Sequence, residues 1–521
     1  MRLLRSPARM VVLIALLAGV GNAPVTAQEH PKPGGILKAA IVGEPPSLDL
    51  HWTTATLTQQ IAWHIYETLY TYDRDLNPIP MLAEGHTVGD GGLRYTIRLR
   101  RGVRFHNGKE MTSADVVASL NRWGRTASGL KSLWKNIEAL EAKDPYTIVF
   151  HLREPTGSLL YALGRYGNGG AIYPKEIVDG AGDGQIKEFI GTGPFRFVEH
   201  KPDRHIRLAR YNEYAARPEA PDGFGGRRSA YVDEIRFIPV PDVSLRLAGV
   251  QTGEYHWAQQ IKQDQYERLK TMPGVVAGIV KPAGWMTAVF NHKQGPMTDK
   301  RLRQAFQAAL DMEPILAGAF GHKDFYRLDP SLLFQEQPFW HSMAGAEHYN
   351  QRNRAKAQRL LRDAGYAGQP IRFMTTREYE YHYKTALVAS QQLEQAGFKV
   401  DLQVYDWATL VQLRNKPELF DVFTTGIVGI PADPAFTASI DCNWPGWWCL
   451  EEKNRLVDQL VKEADPKKRK PIWDRIQQLF YEDAGRIKFG DYYSLEAYRK
   501  ELRGFHPTST IVFWNVWLES R

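Results

Sequence analysis

The 521-residue sequence contains only two cysteines and has no long apolar run beyond its N-terminus. Because a membrane-spanning helix needs about 20 consecutive apolar residues, this absence excludes a multispan membrane protein. The sequence also lacks a Gly-x-Ser-x-Gly elbow, a phosphate-binding loop and a His-Glu-x-x-His zinc helix. The 15 histidines show no clustered ligand spacing, so we predict neither a metal site nor another cofactor.

The charge of the chain identifies no partner. There are 66 Lys and Arg residues against 58 Asp and Glu residues, and the two signs are interspersed. No basic block stands apart from the rest, so no nucleic-acid partner is predicted. Apolar residues make up 43% of the chain, which is enough for large packed cores, and the length predicts three to four structural units.

The first 27 residues have the pattern of a secretory signal peptide. Arginines precede an apolar stretch over residues 11–20, and small residues end at Ala27. We therefore predict a signal peptide over residues 1–27, with cleavage after Ala27. The apolar stretch is about half the length that a membrane anchor needs, so we expect the mature chain to be free in the periplasm.

The two cysteines lie close together in the sequence. Cys442 and Cys449 are separated by six residues, and the periplasm is an oxidising compartment. We predict that they form a disulfide that staples a loop. No histidine lies within this segment, which argues against a metal site there.

Hydrophobic periodicity predicts strands and scattered helices in the first half of the chain. Residues 36–42 form a buried strand, and residues 195–198 and 206–208 form a hairpin. Leu57, Ile61, Ile65 and Leu69 recur every four residues, which predicts one stripe of an amphipathic helix. A capping box, Thr112-x-x-Asp115, opens another helix.

Beyond about residue 282 the pattern alternates between helices and strands. One helix stops at Gly365, a strand begins at Ile371, a second helix ends at Gly397, and apolar residues alternate from Val400. Alternation at this spacing predicts a crossover α/β lobe.

Ordered matches along the mature chain carry a resemblance to a known family. They include Glu44-Pro45-Pro46-Ser47-Leu48-Asp49 and Gly191-Thr192-Gly193-Pro194-Phe195. Further matches lie at residues 35–37, 66–69, 99–108, 114–120, 290–291, 301–306 and 360–366. The sequence resembles the family 5 solute-binding proteins of ABC importers, a group that contains dipeptide, oligopeptide, nickel and haem binders.

The resemblance implies a bilobal α/β periplasmic-binding-protein fold with a hinge and an extra subdomain in lobe 1. We expect the domains to divide as follows: lobe 1, residues 28–69 and 187–281; inserted subdomain, 70–186; lobe 2, 282–489; C-terminal segment returning to lobe 1, 490–521.

The implied function is that of a monomeric, non-catalytic receptor. Such a receptor closes around a small organic solute, here a peptide or a peptide-like compound, and delivers it to a membrane permease. Two alternatives come from other classes: an exported hydrolase acting on peptides or peptidoglycan fragments, and a periplasmic chaperone.

One departure from the family concerns the ligand. Dipeptide and oligopeptide binders carry an Asp four residues before the Pro of an acidic-Pro pair, and this Asp holds the α-ammonium group of the ligand. Here the pair is Asp433-Pro434, and the matching position is Ile430. Either Asp433 has taken over the role or the ligand lacks the amine, so sugar-like, opine-like and modified peptide solutes stay open.

Other predicted ligand contacts are placed at strand exits, where open α/β lobes bind ligands. For each of them, packing in the core is the alternative. These residues are Trp285, Trp407, Trp257, Thr53 and Thr54. Trp447 lies with two further tryptophans in the stapled loop and could face either the ligand or the core.

Overall fold

The fold is described from a computed structural model that covers residues 31–519 apart from residues 54, 128–129, 378 and 430. The predicted signal peptide lies outside the described residues. Within them, no helix combines the length and the apolar character needed to cross a membrane.

Strands and helices alternate along the chain, which confirms the predicted α/β class. The strands are β1 Ile36–Ile41, β2 Tyr70–Tyr72, β3 Pro78–Pro80, β4 Ala83–Gly89, β5 Arg94–Leu99, β6 Ile137–Asp144, β7 Thr147–Leu152, β8 Phe195–Lys201, β9 His205–Arg210, β10 Glu234–Pro239, β11 Trp257–Ile261, β12 Val275–Phe290, β13 Tyr326–Arg327, β14 Ile371–Thr376, β15 Val400–Tyr405, β16 Val422–Val428, β17 Arg486–Arg499, β18 Leu502–Arg503 and β19 Trp517–Leu518. The helices are α1 Thr56–Ala62, α2 Ser113–Thr126, α3 Lys131–Asn136, α4 Leu159–Leu163, α5 Lys175–Ala181, α6 Val243–Thr252, α7 Tyr266–Thr271, α8 Lys300–Ala309, α9 Met312–Phe320, α10 Arg354–Asp363, α11 Glu380–Ala396, α12 Trp407–Leu413, α13 Glu451–Lys462 and α14 Pro466–Glu482.

One large sheet runs through both lobes. Its strand order is β15-β14-β16-β12-β17-β11-β1-β10-β9-β8, and β13 pairs with β17 beside this path. The inserted subdomain has its own four-stranded sheet, in the order β4-β5-β7-β6. The lobes are therefore parts of one continuous hydrogen-bonded sheet.

Two long strands belong to both lobes. Residues 275–280 of β12 pair with residues 494–499 of β17, and residues 284–289 pair with residues 486–492, with a shift of register between the two stretches. Lobe 1 continues from the first stretch through β11, and lobe 2 continues from the second through β16. The boundaries predicted at 281–282 and 489–490 therefore fall inside single strands, and these strands form the hinge.

The C-terminal segment packs into lobe 1. Phe505, Phe513 and Trp514 are buried in the same hydrophobic cluster as Leu37 and Phe237. A second hydrophobic cluster packs residues of β12 and β17 against α8, α9 and α11 of lobe 2, and it also includes Ala40 of β1, Val250 of α6 and Ala258 of β11 in lobe 1.

The capping box at Thr112 and Asp115 is present, as predicted. The helix that begins near Leu57 is shorter than the predicted stripe, because α1 ends at Ala62. Beyond it, the carbonyls of His64 and Ile65 accept hydrogen bonds from the amides of residues 195 and 193. This long-range pairing replaces the next turns of the helix.

A buried ion pair attaches the inserted subdomain to the first loop of lobe 1. The Arg122 guanidinium donates to both carboxylate oxygens of Asp49, at 2.6 and 3.2 Å, and neither side chain is exposed. The same carboxylate accepts hydrogen bonds from the Tyr173 hydroxyl and the Ile186 amide. Burial opposes ionisation, but these donors keep the pKa of Asp49 below its ordinary value.

We expect Asp49→Asn to lower the free energy of unfolding by about 3 kcal/mol, because it leaves the Arg122 guanidinium buried without its counter-ion. Urea denaturation followed by tryptophan fluorescence measures the change. Asp222→Asn is the control: this residue pairs with Arg74 on the exposed surface, and no measurable loss is expected. A loss below about 1 kcal/mol for Asp49→Asn would contradict the assigned role.

Candidate functional site

Each lobe has a set of parallel strands whose carboxyl ends lie side by side. This row of carboxyl ends is called the strand edge of the lobe. In lobe 2, β14 runs parallel to β15 and to β16, and these strands end at Thr376, Tyr405 and Val428. In lobe 1, β1 runs parallel to β10 and β11 and ends at Ile41.

The directions of the hinge strands set these two edges against each other. β12 runs from lobe 1 into lobe 2, and β16 pairs antiparallel to it, so β14, β15 and β16 run towards lobe 1. β11 and β12 are both antiparallel to β17, so β11 and its parallel neighbour β1 run towards lobe 2. Ligands of open α/β sheets bind outside the carboxyl ends of the strands. The candidate site is therefore the cleft between the two edges.

On the lobe 2 side the site contains an aromatic group around Trp407. The rings of Tyr379 and His382 lie 5.2 and 5.5 Å from the Trp407 ring, both edge-on, and the Arg414 guanidinium lies 5.7 Å from it. Burial lowers the pKa of His382 to about 3, so this imidazole is neutral. Trp407 follows the end of β15, as predicted, and its contact with a solute stays a prediction.

On the lobe 1 side the loop after β1 carries Thr53 and Trp52. The Thr53 hydroxyl accepts a hydrogen bond from the Ala55 amide and so is used in the turn before α1. Trp52 was not predicted, yet half of its side chain is exposed. The sequence did contain a signal for Trp52, because its indole is adjacent to the predicted contact Thr53 in the loop after β1. Thr54 lies outside the described residues.

Asp433 has a full set of partners within the protein. Its carboxylate accepts from the Arg469 guanidinium at 2.7 and 2.9 Å, from the Ser158 hydroxyl at 2.9 Å and from the Ala435 amide at 2.9 Å. The side chain is fully buried. Ile430, the position that matches the amine-binding Asp of peptide binders, lies outside the described residues.

The inserted subdomain and lobe 2 are in direct contact beside Asp433. The Thr156 hydroxyl and the Gly157 amide both donate to the carbonyl of Val461, at 2.8 and 3.3 Å. The Lys462 ammonium lies 2.7 Å from the Glu154 carboxylate. The inserted subdomain and lobe 2 are therefore joined by hydrogen bonds and an exposed ion pair in this structure.

Residues 77–443 match the family described as bacterial extracellular solute-binding proteins, family 5, middle region. The chain belongs to this family. The bilobal fold and the role in solute binding predicted from the resemblance are confirmed.

Curated members of family 5 match along most of this chain. The "Probable peptide ABC transporter periplasmic-binding protein y4tO" of Sinorhizobium fredii is 28% identical over 492 residues, which cover 89% of this chain and 90% of that protein. The oligopeptide-binding protein AppA of Bacillus subtilis is 28% identical, covering 87% and 85%. The glutathione-binding protein GsiB of Escherichia coli is 25% identical, covering 88% and 89%.

Experimental structures share the fold. The binding protein AgaA of A. tumefacien R10, in complex with agropinic acid, superposes with a TM-score of 0.79 at 22% identity, covering 94% of this chain and 99% of that one. AppA of Bacillus subtilis in complex with a nonapeptide gives 0.77 at 23% identity, covering 94% and 100%.

Trp285 does not lie at a strand exit. It lies within β12, opposite Ile427 of β16 and Asp491 of β17, and its ring is buried with the Lys488 ammonium 5.6 Å away. The prediction of a strand exit is wrong because β12 begins in lobe 1 and continues through the hinge.

The predicted position of Trp257 is also wrong, since this residue opens β11 instead of following a strand. Its ring is fully buried in the core of lobe 1 beside Phe505 and Phe513. The indole nitrogen donates to the Glu496 carboxyl on hinge strand β17 at 2.9 Å. Burial raises the pKa of Glu496 to about 8.

The stapled loop lies against lobe 2. Cys442 and Cys449 form a disulfide, and Trp447 packs 6.0 Å from the Phe420 ring, with the Lys293 ammonium 4.4 Å from the indole. Gly446 has a positive φ of 105°, and a Cβ there would lie 2.4 Å from the side chain of Val289. The loop therefore requires glycine at this position. A role for Trp447 in ligand binding stays a prediction.

Within the described residues, His, Cys, Asp and Glu side chains do not gather in groups of three or more that could hold a metal ion.

The raised pKa of Glu496 predicts a loss of stability as the pH rises. The carboxyl ionises at about pH 4.5 in the unfolded chain but only at about pH 8 in the folded protein, so folding becomes less favourable between these values. We expect the free energy of unfolding of the Glu496→Gln variant, relative to that of the parent, to rise by about 1.4 kcal/mol for each pH unit in this window. Urea denaturation at pH 5 and pH 7.5 measures the difference, and an equal difference at both values would contradict the assignment.

Proposed function

We propose that this protein is a periplasmic receptor that captures a small organic solute, a peptide or a peptide-like compound, between its lobes. It delivers the solute unchanged to the membrane permease of an ABC importer. The observation that carries this proposal is the pair of carboxyl-terminal strand edges that face each other across a two-stranded hinge. Closure about such a hinge encloses whatever lies between the edges.

The relatives support the solute class. The curated members of family 5 described above are named for peptide, oligopeptide and glutathione binding. The half-buried indole of Trp407, with the Tyr379 ring edge-on beside it, lies after the end of β15 on the lobe 2 side of the cleft, which suits a solute with an apolar part. The comparisons give no support to the hydrolase alternative.

Native mass spectrometry of protein purified from the periplasm of its own host tests the proposal. We expect one small solute per chain, released on denaturation with its mass unchanged. Trp407→Ala should retain less solute, whereas Trp517→Ala, in the short sheet of β18 and β19, is the matched control and should retain it fully.

The recovered solute, added to emptied protein at about 100 times its dissociation constant, should contribute about 2.7 kcal/mol of stability and raise the melting temperature by about 2 to 3 °C. No bound mass, together with no shift across a panel of peptides, opines and sugars, would contradict the receptor function. Release of cleaved products would favour the hydrolase.

A further inference from the structure

We propose that Ser158, Asp433 and Arg469 form a clasp between the inserted subdomain and lobe 2, which stabilises the closed form through contacts within the protein. The proposal rests on the proposed receptor function in one respect: the closed form that the clasp stabilises is the form that encloses a solute. It gives Asp433 a role in closure in place of the amine-anchor role.

The ion pair in this clasp is complete within lobe 2. Asp433 follows β16, Arg469 lies in α14, and both side chains are buried. Arg469 also donates from Nε to the carbonyl of Leu460 at 2.9 Å and lies 5.3 Å from the Trp340 ring. The carboxylate is therefore neutralised by a cation of its own lobe, and a solute ammonium would have to displace one of its present donors.

Ser158 joins the pair from the other side of the cleft. It immediately precedes α4 of the inserted subdomain, and its hydroxyl donates to Asp433 Oδ2 at 2.9 Å while lying 3.3 Å from Arg469 Nη2. A hydrogen bond to a buried charged group shifts an equilibrium by about tenfold or more. Because this bond exists only when the lobes meet, it favours the closed form.

The neighbouring Gly157 lies so close to the backbone of lobe 2 that a residue with a Cβ would not fit in the contact. A Cβ at this position would lie 2.4 Å from the carbonyl oxygen of Glu463 and 3.2 Å from the Cα of Ala464. Both are backbone atoms of lobe 2, which cannot move aside as a flexible side chain could. An alanine there would obstruct the closed contact and leave the packing within the subdomain intact.

The experiment uses the full mature chain, freed of solute, with cysteines introduced at Glu154 and Lys462. These residues form an exposed ion pair across the cleft, so replacing them removes little stability. The native Cys442 and Cys449 are paired in the disulfide, which leaves the two introduced thiols for a short bis-maleimide. The rate of cross-linking then reports the population of the closed form.

We expect the added substitutions Gly157→Ala and Ser158→Ala each to slow cross-linking by about tenfold or more. Gly180→Ala is the matched control, since it lies in α5 of the same subdomain and a Cβ there meets nothing within 4 Å, so the rate should not change. Circular dichroism melts show whether each variant is folded. If Gly157→Ala does not fold, the cross-linking rate of Ser158→Ala alone tests the clasp.

Equal rates in the parent and in Ser158→Ala would overturn the clasp, and so would a parent that does not cross-link at all. Native mass spectrometry separates this result from the receptor function. Retained solute with unchanged cross-linking rates would overturn the clasp alone, whereas slowed cross-linking in a chain that never holds a solute would support the clasp and count against the receptor.

Discussion

The antiparallel pairing of β12 with β17 is the constraint on which the rest of the structure depends. These two strands are the only stretch of sheet that both lobes share in the described part of the chain, so their directions fix the directions of all the strands that extend from them. Parallel strands on either side must then end facing each other. The cleft follows from strand pairing, and the loops only supply the side chains that line it.

Buried ion pairs attach the remaining parts to this framework. Asp49 and Arg122 join the inserted subdomain to lobe 1, and Asp433 and Arg469 form the surface of lobe 2 that Ser158 meets. Such pairs stabilise a structure only when every partner is in place, because a buried charge without its counter-ion is costly. The subdomain is therefore fixed to one lobe and contacts the other through a few hydrogen bonds and an exposed ion pair, which suits reversible closure.

Local patterns in the sequence predicted the elements that depend on local interactions. The capping box at Thr112, the glycines that end α10 and α11, and the first residues of β14 and β15 are found where predicted. Each of these signals acts over a few residues, through a capping hydrogen bond, a positive φ or the alternation of apolar side chains.

Features that depend on distant partners were not predictable in this way. The early end of α1 depends on amides at residues 193 and 195, and the length of β12 depends on its pairing with β17. For Asp433 the loop was identified, but its partners lie 36 and 275 residues away in the sequence. A single sequence does not show such contacts, so a tryptophan in the core, such as Trp257, could not be separated from one in the cleft.

If the protein works as proposed, the solute lies between the opposed strand edges of the two lobes. The most direct test is a crystal structure of the protein purified from its own host with its solute bound. We predict solute density between the end of β1 at Ile41 and the ends of β14, β15 and β16, with Trp407 in contact. Density for the solute on an outer face of either lobe, with this cleft empty, would contradict the account.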